Sequence, residues 1–138
     1  MQVKDVMTPN PRFLLTSATL SDAAKKMREL DTGFIPIGDQ STNKIVGTLT
    51  DRDIVIEAVA NKKALDTPVE NIMHKGVCYC YETDDIKEAT ECMKDKQIRR
   101  LIVLDKDKNL TGIVSLGDIA LHCQDELTGD ALEKISKH

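Results

Sequence analysis

The chain has few aromatic residues: among 138 residues there is no Trp, with two Tyr and two Phe. A surface that stacks single-stranded bases needs such side chains at intervals, so that class of nucleic-acid binder is excluded. Positive charge is not in excess either. The 19 Lys and Arg face 23 Asp and Glu, a formal net charge of −4, which gives no general attraction to nucleic acid or anionic lipid. No apolar run approaches the roughly 20 residues that span a bilayer, and no membrane partner is expected. The opening Met1-Gln2-Val3-Lys4-Asp5 lacks the charged-then-apolar pattern of a secretion signal. The four cysteines, at 78, 80, 92 and 123, have no framework spacing, which points to a reducing cytoplasm. Disorder is excluded as well, because 41% hydrophobic and 30% charged residues is a globular composition.

What the chain does have is a repetition, about 66 residues apart. Val3, Met7, Ala23 and Met27 recur as Val69, Met73, Ala89 and Met93. Past a one-residue length difference, Gly47, Asp53 and Ile54 recur as Gly112, Asp118 and Ile119. Two similar units packing as one body are expected, with paired clefts between them. Two copies argue against an open solenoid and for a closed, pseudo-twofold module.

Each half reads as short helix, strand, helix, strand, strand, helix. Residues 21–31 place Ala23, Ala24, Met27 and Leu30 on one helical face, and residues 85–96 do the same with Ile86, Ala89, Thr90 and Met93. Thr19 with Asp22, and Asp85 with Glu88, have capping-box spacing. Apolar runs too short for helices follow, at 34–37 and 101–104, then polar turns and a second strand. Further helices are expected over 51–60 and 116–123. The fold class is therefore α/β, with each repeat a small sheet packed with helices. Residues 1–60 form the first repeat, 61–68 a polar linker and 69–123 the second repeat. Residues 124–138 are a tail whose Leu127, Ala131, Leu132 and Ile135 fit either an amphipathic helix or a frayed terminus.

The strand-to-helix turn carries the chemistry. Thr50-x-x-Asp53 and Ser115-x-x-Asp118 each follow a Gly-led strand and open a helix. A hydroxyl followed three residues later by an acid is also an ordinary helix cap, and Thr19 has the same pattern. The functional alternative is that N–H groups and a hydroxyl at a helix start attract phosphate. A carboxylate one turn later would then accept from two adjacent ribose hydroxyls. The halves differ most where the first long strand begins: Thr32-Gly33-Phe34 against Ile98-Arg99-Arg100.

In its Val-Lys-Asp-Val-Met-Thr-Pro opening at 3–9, the matching Val69–Met73 and the duplicated Ser/Thr-x-x-Asp turn, the chain resembles a tandem pair of CBS domains (the cystathionine-β-synthase-type repeat, or Bateman module) over roughly residues 1–123. The resemblance implies an adenosine-containing ligand (AMP, ADP, ATP or S-adenosylmethionine) in clefts between the repeats. It puts Asp53 and Asp118 on ribose, and Thr50 and Ser115 on phosphate or ribose. Thr8, Arg12 and Cys78 would border the base, with Gly33, Phe34, Ile98, Arg99 and Arg100 at the strand starts beside the ligand. Arg99 and Arg100 there would clamp phosphates, or else stand as solvated arginines pairing with acids. It also implies a flat homodimer built through the helices.

The expected function is a non-catalytic regulatory module, with no cofactor beyond that regulatory ligand. A chain beginning at Met1 and ending soon after the second repeat is expected to act alone in the cytoplasm, on a separate target protein. Two alternatives stay open. One is a homodimeric scaffold with degenerate nucleotide sites, since His74-Lys75 replaces Thr8-Pro9 in the second half. The other is a metal or thiol sensor using Cys78, Cys80 and Cys123, although one-residue cysteine spacing is narrow for zinc. No metal motif, nucleophile elbow or dinucleotide fingerprint points to an enzyme.

Overall fold

The computed structural model describes residues 1–122; Cys123 and the tail lie outside them. In chain order the elements are a 3₁₀ turn (Val3–Asp5), β1 (Thr8–Pro9), β2 (Leu14–Leu15), α1 (Leu20–Leu30), β3 (Phe34–Gly38), β4 (Ile45–Thr50) and α2 (Asp51–Asp53). The last runs on as a π-helix (Ile54–Val59). A second 3₁₀ turn (Val69–Asn71) follows, then β5 (His74–Lys75), β6 (Tyr79–Tyr81), α3 (Ile86–Lys96), β7 (Arg100–Leu104), β8 (Leu110–Ser115) and α4 (Leu116–His122). The fold is mixed α/β, with two four-stranded sheets ordered β1-β8-β7-β6 and β2-β3-β4-β5.

The helices form where the apolar spacing places them, and both long ones stop in the same way. Leu20, Ala23 and Met27 are the buried stripe of α1, and Ile86, Ala89, Thr90 and Met93 that of α3. Thr19 and Asp22 cap α1 reciprocally. Asp85 departs from the expected box: its carboxylate accepts from the Lys87 N–H at 2.8 Å. Asp31 and Gln97 end the two helices in left-handed backbone, at φ 51° and 56°. The next N–H then reaches back, Thr32 to the Met27 carbonyl and Ile98 to the Met93 carbonyl, both at 3.0 Å. This is the Schellman closure, made here without glycine.

The described residues divide into a contiguous unit, Arg12–Val77, and a composite unit of Met1–Pro11 with residues 78–122. Each sequence repeat therefore lends its opening segment to the other's sheet. Val3 and Val6 are buried among Cys80, Met93, Leu101 and Val114, while Val69 and Ile72 are buried among Ile35, Ile37 and Leu49. The glycines conserved between the two halves are what let these openers in. A Cβ on Gly47 would sit 2.6 Å from the His74 carbonyl and 2.8 Å from Met73 Sδ. One on Gly112 would fall on Met7 Sδ and lie 3.0 Å from the Thr8 carbonyl. So β5 pairs with β4, and β1 with β8.

In the centre of each sheet, β3 and β7 are covered on both faces: Ile35, Ile37, Leu101 and Val103 are fully buried on one, and Pro36 and Ile102 are buried on the other. Each fully buried Ile, Leu or Val side chain contributes about 1.5–3 kcal/mol by leaving water. Pro36 is tolerated inside β3 because β2 begins pairing only at Ile37. In the composite unit the Ile102 N–H bonds the Cys78 carbonyl at 3.2 Å; the matched residue, Pro36, has no N–H to give.

Candidate functional site

The register of β3 on β4, and of β7 on β8, builds one corner in each unit. In the contiguous unit Phe34 lies opposite Thr50, and the Asp51 N–H donates to the Gly33 carbonyl at 3.0 Å. Thr50 Oγ1 accepts from the Asp53 N–H at 3.0 Å, and Asp53 Oδ2 accepts from the Thr50 N–H at 2.9 Å. The composite unit repeats this. Arg100 lies opposite Ser115, the Leu116 N–H donates to the Arg99 carbonyl at 3.0 Å, and Ser115 and Asp118 exchange two bonds of 3.0 Å.

Four of the sequence-selected residues, Gly33, Phe34, Thr50 and Asp53, thus meet at one corner. Arg99, Arg100, Ser115 and Asp118 meet at the other. Thr8 is exposed on β1 opposite Ile113, two residues before Ser115. Cys78 is exposed and bound to β7 through its carbonyl. Arg12 is exposed and stands two residues before β2, where Pro36 leaves the strand unextended. Ile98 packs against the core of the composite unit, so its side chain is largely committed to packing.

The capping role of these turns is real: Thr19 and Asp22 make the same reciprocal pair at 3.1 and 3.0 Å. What sets the two corners apart is their position, each directly after a strand and beside the start of its neighbour. Asp53 and Asp118 spend one oxygen, Oδ2, on the cap. Each is only part-buried, and a second carboxylate oxygen remains with lone pairs of its own.

One residue that sequence reasoning passed over, Asp51, lies at the contiguous corner. A Cβ built on Gly33 would be 2.7–2.9 Å from the Asp51 carboxyl atoms, so the carboxylate rests on the bare Gly33 backbone. Its counterpart in the composite unit is Leu116, which is buried. No motif marks Asp51; only the β3–β4 register brings it to Gly33.

The cysteines read differently. Burial pushes the Cys80 thiol up to about 12, with Asp84 and Cys92 adding to it, and burial also raises Cys92. Thiolates, the reactive and metal-binding form, are thus disfavoured at both. Among the described residues no group of three His, Cys, Asp or Glu is placed to hold a metal ion; Cys123 is outside them. Two concavities are lined by none of these corner residues. One, of about 510 Å³, is lined by Tyr81, Asp84, Asp105 and Asp107. The other, of about 490 Å³, runs between α1 and the π-helix. Among the described residues no helix is long and apolar enough to cross a membrane.

The CBS domain family model matches this chain twice, over residues 3–59 and 69–125. The chain belongs to the CBS domain family. This CBS pair is 36% identical over 135 residues to the CBS domain-containing protein YhcV of Bacillus subtilis (strain 168), covering 97% of the chain and 94% of YhcV. It is 35% identical over 121 residues to hypoxic response protein 1 of Mycobacterium tuberculosis (strain ATCC 25618 / H37Rv), covering 86% and 82%. A crystal structure of Hypoxic Response Protein I with two coordinated zinc ions matches with a TM-score of 0.79 at 32% identity, over 89% of this chain and 99% of that one. The CBS domain pair of protein MJ0100, in complex with 5′-methylthioadenosine and S-adenosyl-L-methionine, matches with a TM-score of 0.77 at 27% identity, over 88% and 98%.

Proposed function

We propose that this CBS pair is a non-catalytic regulatory module that binds an adenosine-containing ligand at the Thr50–Asp53 and Ser115–Asp118 corners. The observation that carries the reading is the duplicated corner. Within a family shared with a pair that holds 5′-methylthioadenosine and S-adenosylmethionine, both units of this chain present the same hydroxyl, N–H and carboxylate set beside a strand start. Asp53 and Asp118 would accept from ribose hydroxyls, with Thr50 and Ser115 beside them. Thr8, Arg12, Cys78 and the strand starts would border the remainder of the ligand. For binding to regulate anything, the ligand must favour one shape or assembly over another. The output is thus a change of conformation or of contact with a separate target in the cytoplasm.

Homodimerisation belongs to the same reading. Val55, Ile56 and Val59 of the π-helical segment and the nearby Leu65 are between 46% and 72% exposed. A self-complementary contact is the usual way such a helical face is covered.

Titration calorimetry with AMP, ATP, S-adenosylmethionine and 5′-methylthioadenosine tests the proposal on wild type, Asp53→Ala, Asp118→Ala and the cap-only control Asp22→Ala. Saturable binding lost in a corner variant and kept in Asp22→Ala supports it. Binding untouched by both corner variants, or absent from wild type, overturns it.

A further inference from the structure

The two corners share one backbone plan and carry opposite charge. In the contiguous unit the residue just before β3 is Gly33, against whose backbone the Asp51 carboxylate rests. Asp53 follows one turn on. The cation there, Arg52, is exposed and flanked by carboxylates on both sides. In the composite unit the position of Gly33 is held by Arg99, exposed, with Arg100 next to it. The position of Asp51 is held by Leu116, which is 3% exposed and buried in the core. The backbone bond is the same in both, 3.0 Å from the residue after the hydroxyl to the strand start, so matched positions occupy matched places. One corner therefore has two carboxylates and one guanidinium. The other has two guanidiniums and one carboxylate.

A phosphate brought to the contiguous corner meets the exposed Asp51 carboxylate, and like charges at short range repel, an effect that salt weakens. At the composite corner the same phosphate meets the exposed Arg99 guanidinium, which forms charge-assisted bonds to it. We propose that the two corners divide adenosine ligands by charge: the Arg99–Asp118 corner takes the phosphate-bearing end of a nucleotide, and the Gly33–Asp53 corner takes an adenosine derivative without phosphate. This rests on the nucleotide-binding reading above and adds to it the ligand class of each corner. Asp51 and Arg99 are the residues that set the selectivity.

The experiment is calorimetry at low and at raised salt with ATP and with 5′-methylthioadenosine, which carries no phosphate. It compares wild type with Arg99→Gln and Asp51→Asn, each checked for an unchanged thermal midpoint. Asn retains an oxygen for the Arg52 N–H that Asp51 Oδ1 now accepts at 2.9 Å, so the fold has no reason to change. Arg99→Gln is expected to weaken ATP about tenfold or more and to leave 5′-methylthioadenosine within about twofold. Asp51→Asn is expected to open a second, weaker ATP site on a chain that took one. Equal losses of both ligands in Arg99→Gln, or two equivalent ATP sites in wild type, overturn the division by charge while leaving nucleotide binding in place. Failure of wild type to bind either ligand overturns both.

Discussion

At the residue scale, the matched glycines decide how each sheet is completed. Gly47 and Gly112 recur because an opener strand presses on each. The Met73 and Met7 side chains fill the space a Cβ would need. Close-packed interiors respond to overfilling with shifted backbone and off-rotamer side chains. Gly112→Ala is therefore expected to destabilise the protein by about 1–3 kcal/mol, read as a lower urea midpoint. Trimming the flexible Met7 side chain in Gly112→Ala, Met7→Ala is expected to relieve only part of that loss, because the Thr8 carbonyl stays 3.0 Å from the new Cβ position. Full restoration by the double variant would show that the Met7 side chain alone is the constraint.

At the scale of elements, the caps separate structure from function. The Thr19 hydroxyl takes the Asp22 N–H at 3.1 Å, and Thr19→Ala is expected to cost about 1 kcal/mol without affecting any ligand. The Thr19 N–H, and after it the Thr19 hydroxyl, hold the Asp22 carboxyl below its ordinary value of 3.8. A carboxyl depressed in the folded state stabilises above its unfolded value, and that contribution is lost as pH falls through the folded one. Wild type and Asp22→Ala should accordingly differ in thermal midpoint at neutral pH and converge as the pH drops below 3.8. A gap that persists in acid would mean that the charge is not what stabilises the cap. The second helix of the contiguous unit shows a different effect. Beyond Asp53 it widens into a π-helix, in which the Ala60 N–H reaches the Val55 carbonyl five residues back. π-helical stretches are rare and frequently fall at functional sites. Here the stretch keeps Ala58 buried while Val55, Ile56 and Val59 face water.

For the whole molecule, the exchange of openers means that neither repeat contains its own complete sheet: β5 completes the sheet of the first repeat, and β1 that of the second. The π-helical segment leaves Val55, Ile56 and Val59 exposed as an apolar face. Val59 is 64% exposed, so Val59→Asp removes no core contact and is expected to leave the thermal midpoint of dilute protein unchanged. If the proposed homodimer uses this face, light scattering after gel filtration should show the dimer fraction falling in Val59→Asp as a carboxylate is forced into the contact. An unchanged dimer would place the interface elsewhere.

Much of this was legible in the chain itself, for physical reasons. Apolar spacing at 3.6 residues determined α1 and α3, because a helix must bury one stripe. Short apolar runs determined β3 and β7, because those strands are covered on both faces. The duplicated Thr50–Asp53 and Ser115–Asp118 turns were legible because a reciprocal cap needs both groups at a fixed local spacing. The left-handed stops at Asp31 and Gln97 were not, since no glycine announces them. The exchange of openers was not legible either, because Gly47 meets Met73, and Gly112 meets Met7, only across long stretches of chain. Nor was Asp51, which belongs to no motif and reaches Gly33 only through the pairing of β3 with β4. Local spacing follows from the sequence; which distant residues share a place is decided by packing and register, and the charge of each corner follows from that.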